Sequence, residues 1–79
     1  MIIEHGEGII SVVIYPLTTS CTAIDVVAER DGQQMQRKKY VNDYWFIFPK
    51  SAEVYAEDIR GAKNTLIDEA KSFIDRISQ

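Results

Sequence analysis

The dipeptide Asp31-Gly32 constrains this chain more than any other feature of its 79 residues. It directly follows residues 22–29, which are β-branched and alternating, and both of its positions tolerate positive φ, as the two-residue turn of a tight hairpin requires. Pairing Arg30 with Gln33 sets the register on both sides, so that Asp25 falls opposite Lys38, Ala28 opposite Met35 and Glu29 opposite Gln34. The Asp25–Lys38 match is a complementary charge pair of the kind that supports a cross-strand register. The return strand, residues 33–41, is polar on both faces in its middle and is therefore expected at an edge of the sheet.

Ahead of this hairpin, residues 9–15 place Ile10, Val12 and Ile14 on one face and Ile9, Ser11, Val13 and Tyr15 on the other, between Gly8 and Pro16. Both faces are largely apolar, which predicts an interior strand. Residues 1–4 read as a short strand turned by residues 5–8, and residues 18–21 as a polar loop. After the turn residues Asn42-Asp43 comes the most hydrophobic segment, residues 44–48. It reads as one strand with Tyr44, Phe46 and Phe48 pointing one way and Trp45 and Ile47 the other. Residues 49–52 then read as a hairpin loop before a weak strand at 53–57, although Ala52, Tyr55, Ala56 and Ile59 also match a helical face.

The C-terminal part predicts a helix to about Ser78. Ile59, Ala62, Leu66, Ala70, Phe73 and Ile77 recur at spacings of three and four, and Ile67 and Ile74 widen the stripe. Asp58 can cap it, or Thr65 with Asp68 can cap a shorter helix, since Gly61 weakens the first turn by up to about 1 kcal/mol relative to alanine. The expectation is thus an α+β domain: an antiparallel meander of four to five strands with one C-terminal amphipathic helix on one face. Residues 1–79 are read as a single domain.

A chain this short has a marginal core unless something staples or completes it. Cys21 is the only cysteine, which excludes an internal disulfide and suits a reducing compartment. The longest apolar runs fall well short of the roughly 20 residues of a membrane span, and no basic region precedes an apolar stretch at the start, so a cytoplasmic protein is expected. Twelve Asp and Glu against nine Lys and Arg give a net charge of −3, which argues against a protein whose affinity rests on phosphate neutralisation. The charge is uneven, however. Arg30, Arg37, Lys38 and Lys39 form a basic stretch, of which Arg37-Lys38-Lys39 reads either as a solvated edge strand or as a patch for an acidic partner or nucleic acid.

One helix shields only one face of such a sheet, so the apolar residues on its other face need a cover. A second copy of the chain, a different protein or the N-terminal segment folded back are the alternatives. The aromatic cluster of Tyr40, Tyr44, Trp45, Phe46, Phe48 and Tyr55 either builds the small core or contributes to an interface. Tyr40, Tyr44, Trp45 and Tyr55, with Arg37, Lys38 and Lys39, are the expected partner-binding residues.

Little points to catalysis. Glu4, His5 and Glu7 are the sole grouping that resembles a metal or acid–base site, and they lie between glycines near a terminus, where geometry is loosely held. Cys21 has no histidine on its own segment and reads as an inert thiol. Glu57-Asp58 and Asp68-Glu69 are neighbours whose side chains diverge on a strand or helix. No phosphate-binding loop, zinc spacing or nucleophile elbow is present. No enzyme activity, cofactor or metal is expected.

The second half, an aromatic strand followed by a helix carrying Glu69-Ala70-Lys71-Ser72-Phe73-Ile74-Asp75, resembles small α+β accessory proteins of bacteriophages and other mobile elements, including anti-restriction and anti-CRISPR proteins. That resemblance implies a module that binds and inhibits a host complex. A second similarity is to HicB-type antitoxins, in which a strand ending in Phe-Pro precedes a helix containing Glu-Ala, as Phe48-Pro49 and Glu69-Ala70 do here. Lys50-Ser51-Ala52-Glu53 stands where that family has Asp-Leu-Pro-Gly. The sequence therefore predicts a protein-binding module that acts on a host protein and can pair with itself through the uncovered sheet face, with a small nucleic-acid-contacting regulator or antitoxin using the basic strand Arg37-Lys38-Lys39 as the alternative.

Overall fold

The computed structural model describes residues 1–77. Strands β1 (Ile2–His5), β2 (Gly8–Thr18), β3 (Cys21–Arg30) and β4 (Gln33–Asn42) form an antiparallel sheet in that order, β5 (Tyr44–Trp45) and β6 (Phe48–Pro49) form a separate two-stranded ribbon, and α1 (Ala52–Ile77) closes the chain. This is an α+β meander with one covering helix. The hairpin of β3 and β4 has the expected register, with Arg30 opposite Gln33, Ala28 opposite Met35 and Asp25 opposite Lys38. Its turn holds Asp31 at φ 52° and Gly32 at φ 77°, the two positive values that a primed turn demands.

Alternation along the strands separates two faces. Ile10, Val12, Ile24, Val26, Ala28, Met35 and Val41 point to α1 and are buried with its Leu66, Ile67, Ala70 and Ile74. The helix starts over β3 and β4, where the Tyr55 hydroxyl lies 2.6 Å from Thr22 Oγ1 and 3.4 Å from the Val41 carbonyl. It ends over β2, where Ile74 packs on Gly8 and Asp75 accepts a 2.8 Å contact from His5 Nε2. At 26 residues the helix is about 39 Å long. The Cα radius of gyration is 14.3 Å against about 12 Å for a compact chain of this length, and the extents are 46 × 18 × 17 Å. Long strands and the ribbon beyond their end account for the elongation.

Four expectations are corrected. First, residues 53–57 are helical, because Ser51 caps α1: its Oγ accepts from the Val54 amide at 3.2 Å and its carbonyl from the Tyr55 amide at 3.0 Å. The helix therefore begins well before Asp58; its expected end at Ser78 lies outside the described residues. Secondly, Thr65 caps nothing, since its hydroxyl donates back to the Gly61 carbonyl at 2.9 Å in mid-helix. Thirdly, β2 continues through Pro16 to Thr18 with a register shift between those two residues, which shortens the expected 18–21 loop to Thr19-Ser20. Met1 and Val12 exchange backbone bonds, so alternate residues of β2 direct their amides to the β1 side. Pro16 shares that parity beyond the end of β1, where its missing N–H costs the sheet no bond. Fourthly, residues 44–48 are not one strand: the chain reverses at Phe46-Ile47.

Candidate functional site

The ribbon of residues 44–49 grows out of β4. The Asp43 amide donates to the Ser20 carbonyl at 3.0 Å, which ties the exit of β4 to the β2–β3 turn, and the Lys50 amide donates to the Asp43 carbonyl at 2.6 Å, which closes the ribbon at its base. Tyr44 pairs with Pro49 and Trp45 with Phe48. Lys50 fixes one arm: its Nζ stands 4.8 Å from the Trp45 ring centroid and 2.7 Å from Asp58 Oδ2 on the helix. The tip is the opposite of its base. Phe46 is fully exposed at 100% and Ile47 at 81%, with Phe48, Trp45 and Tyr44 exposed to about half or more behind them.

Phe46 also has φ 51°. A bulky residue in the left-handed region costs on the order of 1–3 kcal/mol, a strain that glycine or asparagine would relieve. Stability accounts for neither the conformation nor the side chain. Among the described residues, nine of the twelve exposed large apolar side chains lie either here or in the half of the sheet between Val13 and the β2–β3 turn, the others being Met1, Ile2 and Ile9. The apolar surface is therefore concentrated at one end of the molecule.

The structure distributes the expected partner-binding residues over four places. Tyr44 and Trp45 form one arm of the ribbon. Tyr40 lies on the face away from α1, beside Ala23 and across from Tyr15, and these two rings leave Ala23 with 0% exposure. Tyr55 is a half-buried residue packed against the core, with its hydroxyl engaged by Thr22. Arg37, Lys38 and Lys39 occupy the edge strand β4 and alternate between its faces. Arg37 stands 4.0 Å from Glu69 of the helix, and Lys38 on the other face stands 4.0 Å from Asp25 and 6.0 Å from the Tyr15 ring. The face away from α1 carries Ile9 and Val13 exposed and Tyr15 half-buried, with Asp25, Gln36 and Lys38 crossing its other half.

The sequence places Phe46 and Phe48 in the aromatic cluster but marks neither of them, nor Ile47, as a binding residue. The reversal at Phe46-Ile47 has no glycine, asparagine or aspartate to announce it, so the run reads as a strand. His5 is bonded to Asp75, Glu7 to Arg30 at 3.2 Å, Glu57 to Arg60 and Asp58 to Lys50, so the carboxylate and histidine groupings dissolve into separate ion pairs. Among the described residues no three His, Cys, Asp or Glu side chains converge as a metal site, and no helix is long and apolar enough to cross a membrane. Comparison with protein families, curated proteins and solved structures found no match.

Proposed function

We propose that the chain is a non-enzymatic protein-binding module that docks by inserting the tip of its 44–49 ribbon into an apolar cleft of a partner protein. The exposure of Phe46, complete, and of Ile47, at 81%, on a ribbon bonded at its base is the observation that carries this reading. Burial of two such side chains contributes at most about 1.5–3 kcal/mol each, and the Trp45 and Phe48 rings behind them enlarge the contact. The cation at the base, Lys50, is already paired with Asp58, which favours a protein cleft over an anionic lipid surface. The resemblance of the second half to phage and mobile-element accessory proteins supports a host complex as the target and inhibition as the outcome.

Affinity purification from a bacterial lysate with the wild-type chain and with a Phe46→Asp, Ile47→Ser variant tests the reading. Both side chains are solvent-exposed, so the variant is expected to keep its fold by circular dichroism while losing the captured protein. Equal capture by both would contradict it. Pairing of two copies through the face bearing Val13 and Tyr15 is the second contact in this proposal. Sedimentation at tens of micromolar reads it, with a dimer that Val13→Lys dissociates as the expected result.

A further inference from the structure

We infer that the free edge of β4 receives an extended, acidic segment of a partner protein as an added antiparallel or parallel strand. The inference rests on the protein-binding reading for the class of partner alone; its geometry is independent of the ribbon.

The bonding parity of the sheet identifies which backbone groups are available. Because Val12 exchanges its bonds with Met1, it turns its polar groups away from its neighbour Val26, whose own groups then face Arg37 on β4. Arg37, Lys39 and Val41 are thus bonded to β3, and the Asp43 amide, which shares their parity, indeed reaches back to Ser20. The intervening residues Gln34, Gln36, Lys38, Tyr40 and Asn42 direct N–H and C=O outward, along an edge strand ten residues long with no proline and no register shift. The Gln36 carbonyl accepts from the Arg37 guanidinium at 2.9 Å, an exposed side-chain bond that an incoming backbone N–H must displace, and freeing Arg37 for an anion does so. The row is a template for strand addition.

Charge selects the occupant. The run Arg37-Lys38-Lys39 lies at the middle of this edge in a chain whose net charge is −3. Arg37 and Lys39 flank the edge on the helix side and Lys38 on the opposite side, in the alternation of the strand itself. A flat or helical polyanion would meet one side only. An added strand projects its own side chains to both sides in turn, so consecutive carboxylates on it reach cations on both faces. A second copy of β4 is disfavoured on the same ground: antiparallel self-pairing about Lys38 sets Lys38 against its copy and Arg37 against Lys39, all of like charge.

Titration with a capped peptide, Thr-Val-Glu-Glu-Glu-Val-Thr, tests this, with hydrogen exchange of the protein amides read by NMR. The expected result is saturable binding that slows exchange at Gln36, Lys38 and Tyr40 while leaving Arg37 and Lys39, already bonded to β3, unchanged. A peptide with lysines in place of the glutamates is expected to bind at least about tenfold more weakly, and N-methylation of alternate peptide amides to abolish binding. The triple reversal Arg37→Glu, Lys38→Glu, Lys39→Glu is expected to exchange the preference between the two peptides, an outcome that a merely damaged fold does not produce. Equal binding of the N-methylated peptide, uniform or absent protection along β4, or single-stranded oligonucleotide binding in place of peptide binding would each overturn the proposal. So would concentration-dependent protection of the same amides without peptide. The Phe46→Asp, Ile47→Ser variant keeps the alternating protection if the edge acts as inferred, which separates failure here from failure of the ribbon.

Discussion

Gly8 of β2 lies directly beneath Ile74 of α1: a Cβ built on Gly8 would stand 2.7 Å from Ile74 Cδ1 and 2.9 Å from Cγ1 and Cγ2. The last turns of the helix cross the sheet at this point, and Ile74 is fully buried there. Gly8→Ala is therefore expected to force the helix off the sheet or Ile74 out of its rotamer. A loss of about 1–3 kcal/mol in denaturant unfolding is the predicted result, and an unchanged midpoint would mean that the crossing is looser than described.

Tyr55 ties the start of the helix to two strands at once. If its hydroxyl donates to the Val41 carbonyl, Thr22 donates to it, so a single oxygen links α1, β3 and β4. Tyr55→Phe keeps the ring against the core and removes both bonds, for an expected cost of about 0.5–1.5 kcal/mol. Ser51→Ala, which deletes the helix cap, is expected to cost about 0.5–2 kcal/mol by the same measurement.

The extent to which the sequence was legible follows from which signals are local. Asp31-Gly32 specified a turn, and turn geometry then dictated ten paired positions from Arg30 to Cys21 without reference to the rest of the molecule. The helix stripe was equally plain, but its start was not. Ser51 caps the helix without a glutamate or glutamine at Val54 to complete a capping box, and Tyr55 and Ile59 are compatible with either a strand or a helix until the cap is seen. The ribbon was the least legible element. Five consecutive apolar residues carry the signal of a strand, and the positive φ of Phe46 opposes every local preference of that residue. The site lies where local preference and observed conformation part.

Lys38 provides a pH-dependent signal on the face away from the helix. A hydrogen bond with Tyr15 is the largest influence holding its ammonium above the ordinary value of 10.5, followed by attraction to Tyr15 and Tyr40, with burial opposing them and Asp25 adding the least. A raised pKa in the folded state stabilises the fold fully below 10.5 and loses that contribution as pH rises through the higher folded value. Near neutral pH that contribution is complete and does not vary with pH. Tyr15→Phe is expected to lower the Lys38 midpoint in an NMR titration of the side-chain Nζ group, whereas an unmoved midpoint would mean that the two side chains do not meet in solution.

Gly32 at φ 77° has open space around the position of a Cβ, so the conformation alone requires glycine there. Gly32→Ala is expected to destabilise the hairpin by about 1–2 kcal/mol, and Gly61→Ala, in mid-helix with equal room, to stabilise by up to about 1 kcal/mol. Opposite signs in paired denaturant curves are the predicted outcome; a loss at both would place an unseen contact over Gly61.

Trp45 is the one tryptophan in the chain and sits in the ribbon, directly behind Phe46. Uniform 5-fluorotryptophan labelling therefore places a single fluorine in the proposed contact, and its 19F NMR signal in the free protein and in complex with the captured partner tests the ribbon as the binding element. The signal is expected to shift on binding and to lose its solvent-isotope sensitivity as the half-exposed ring is buried. A complex that forms while this resonance keeps both its position and its solvent sensitivity would contradict the account.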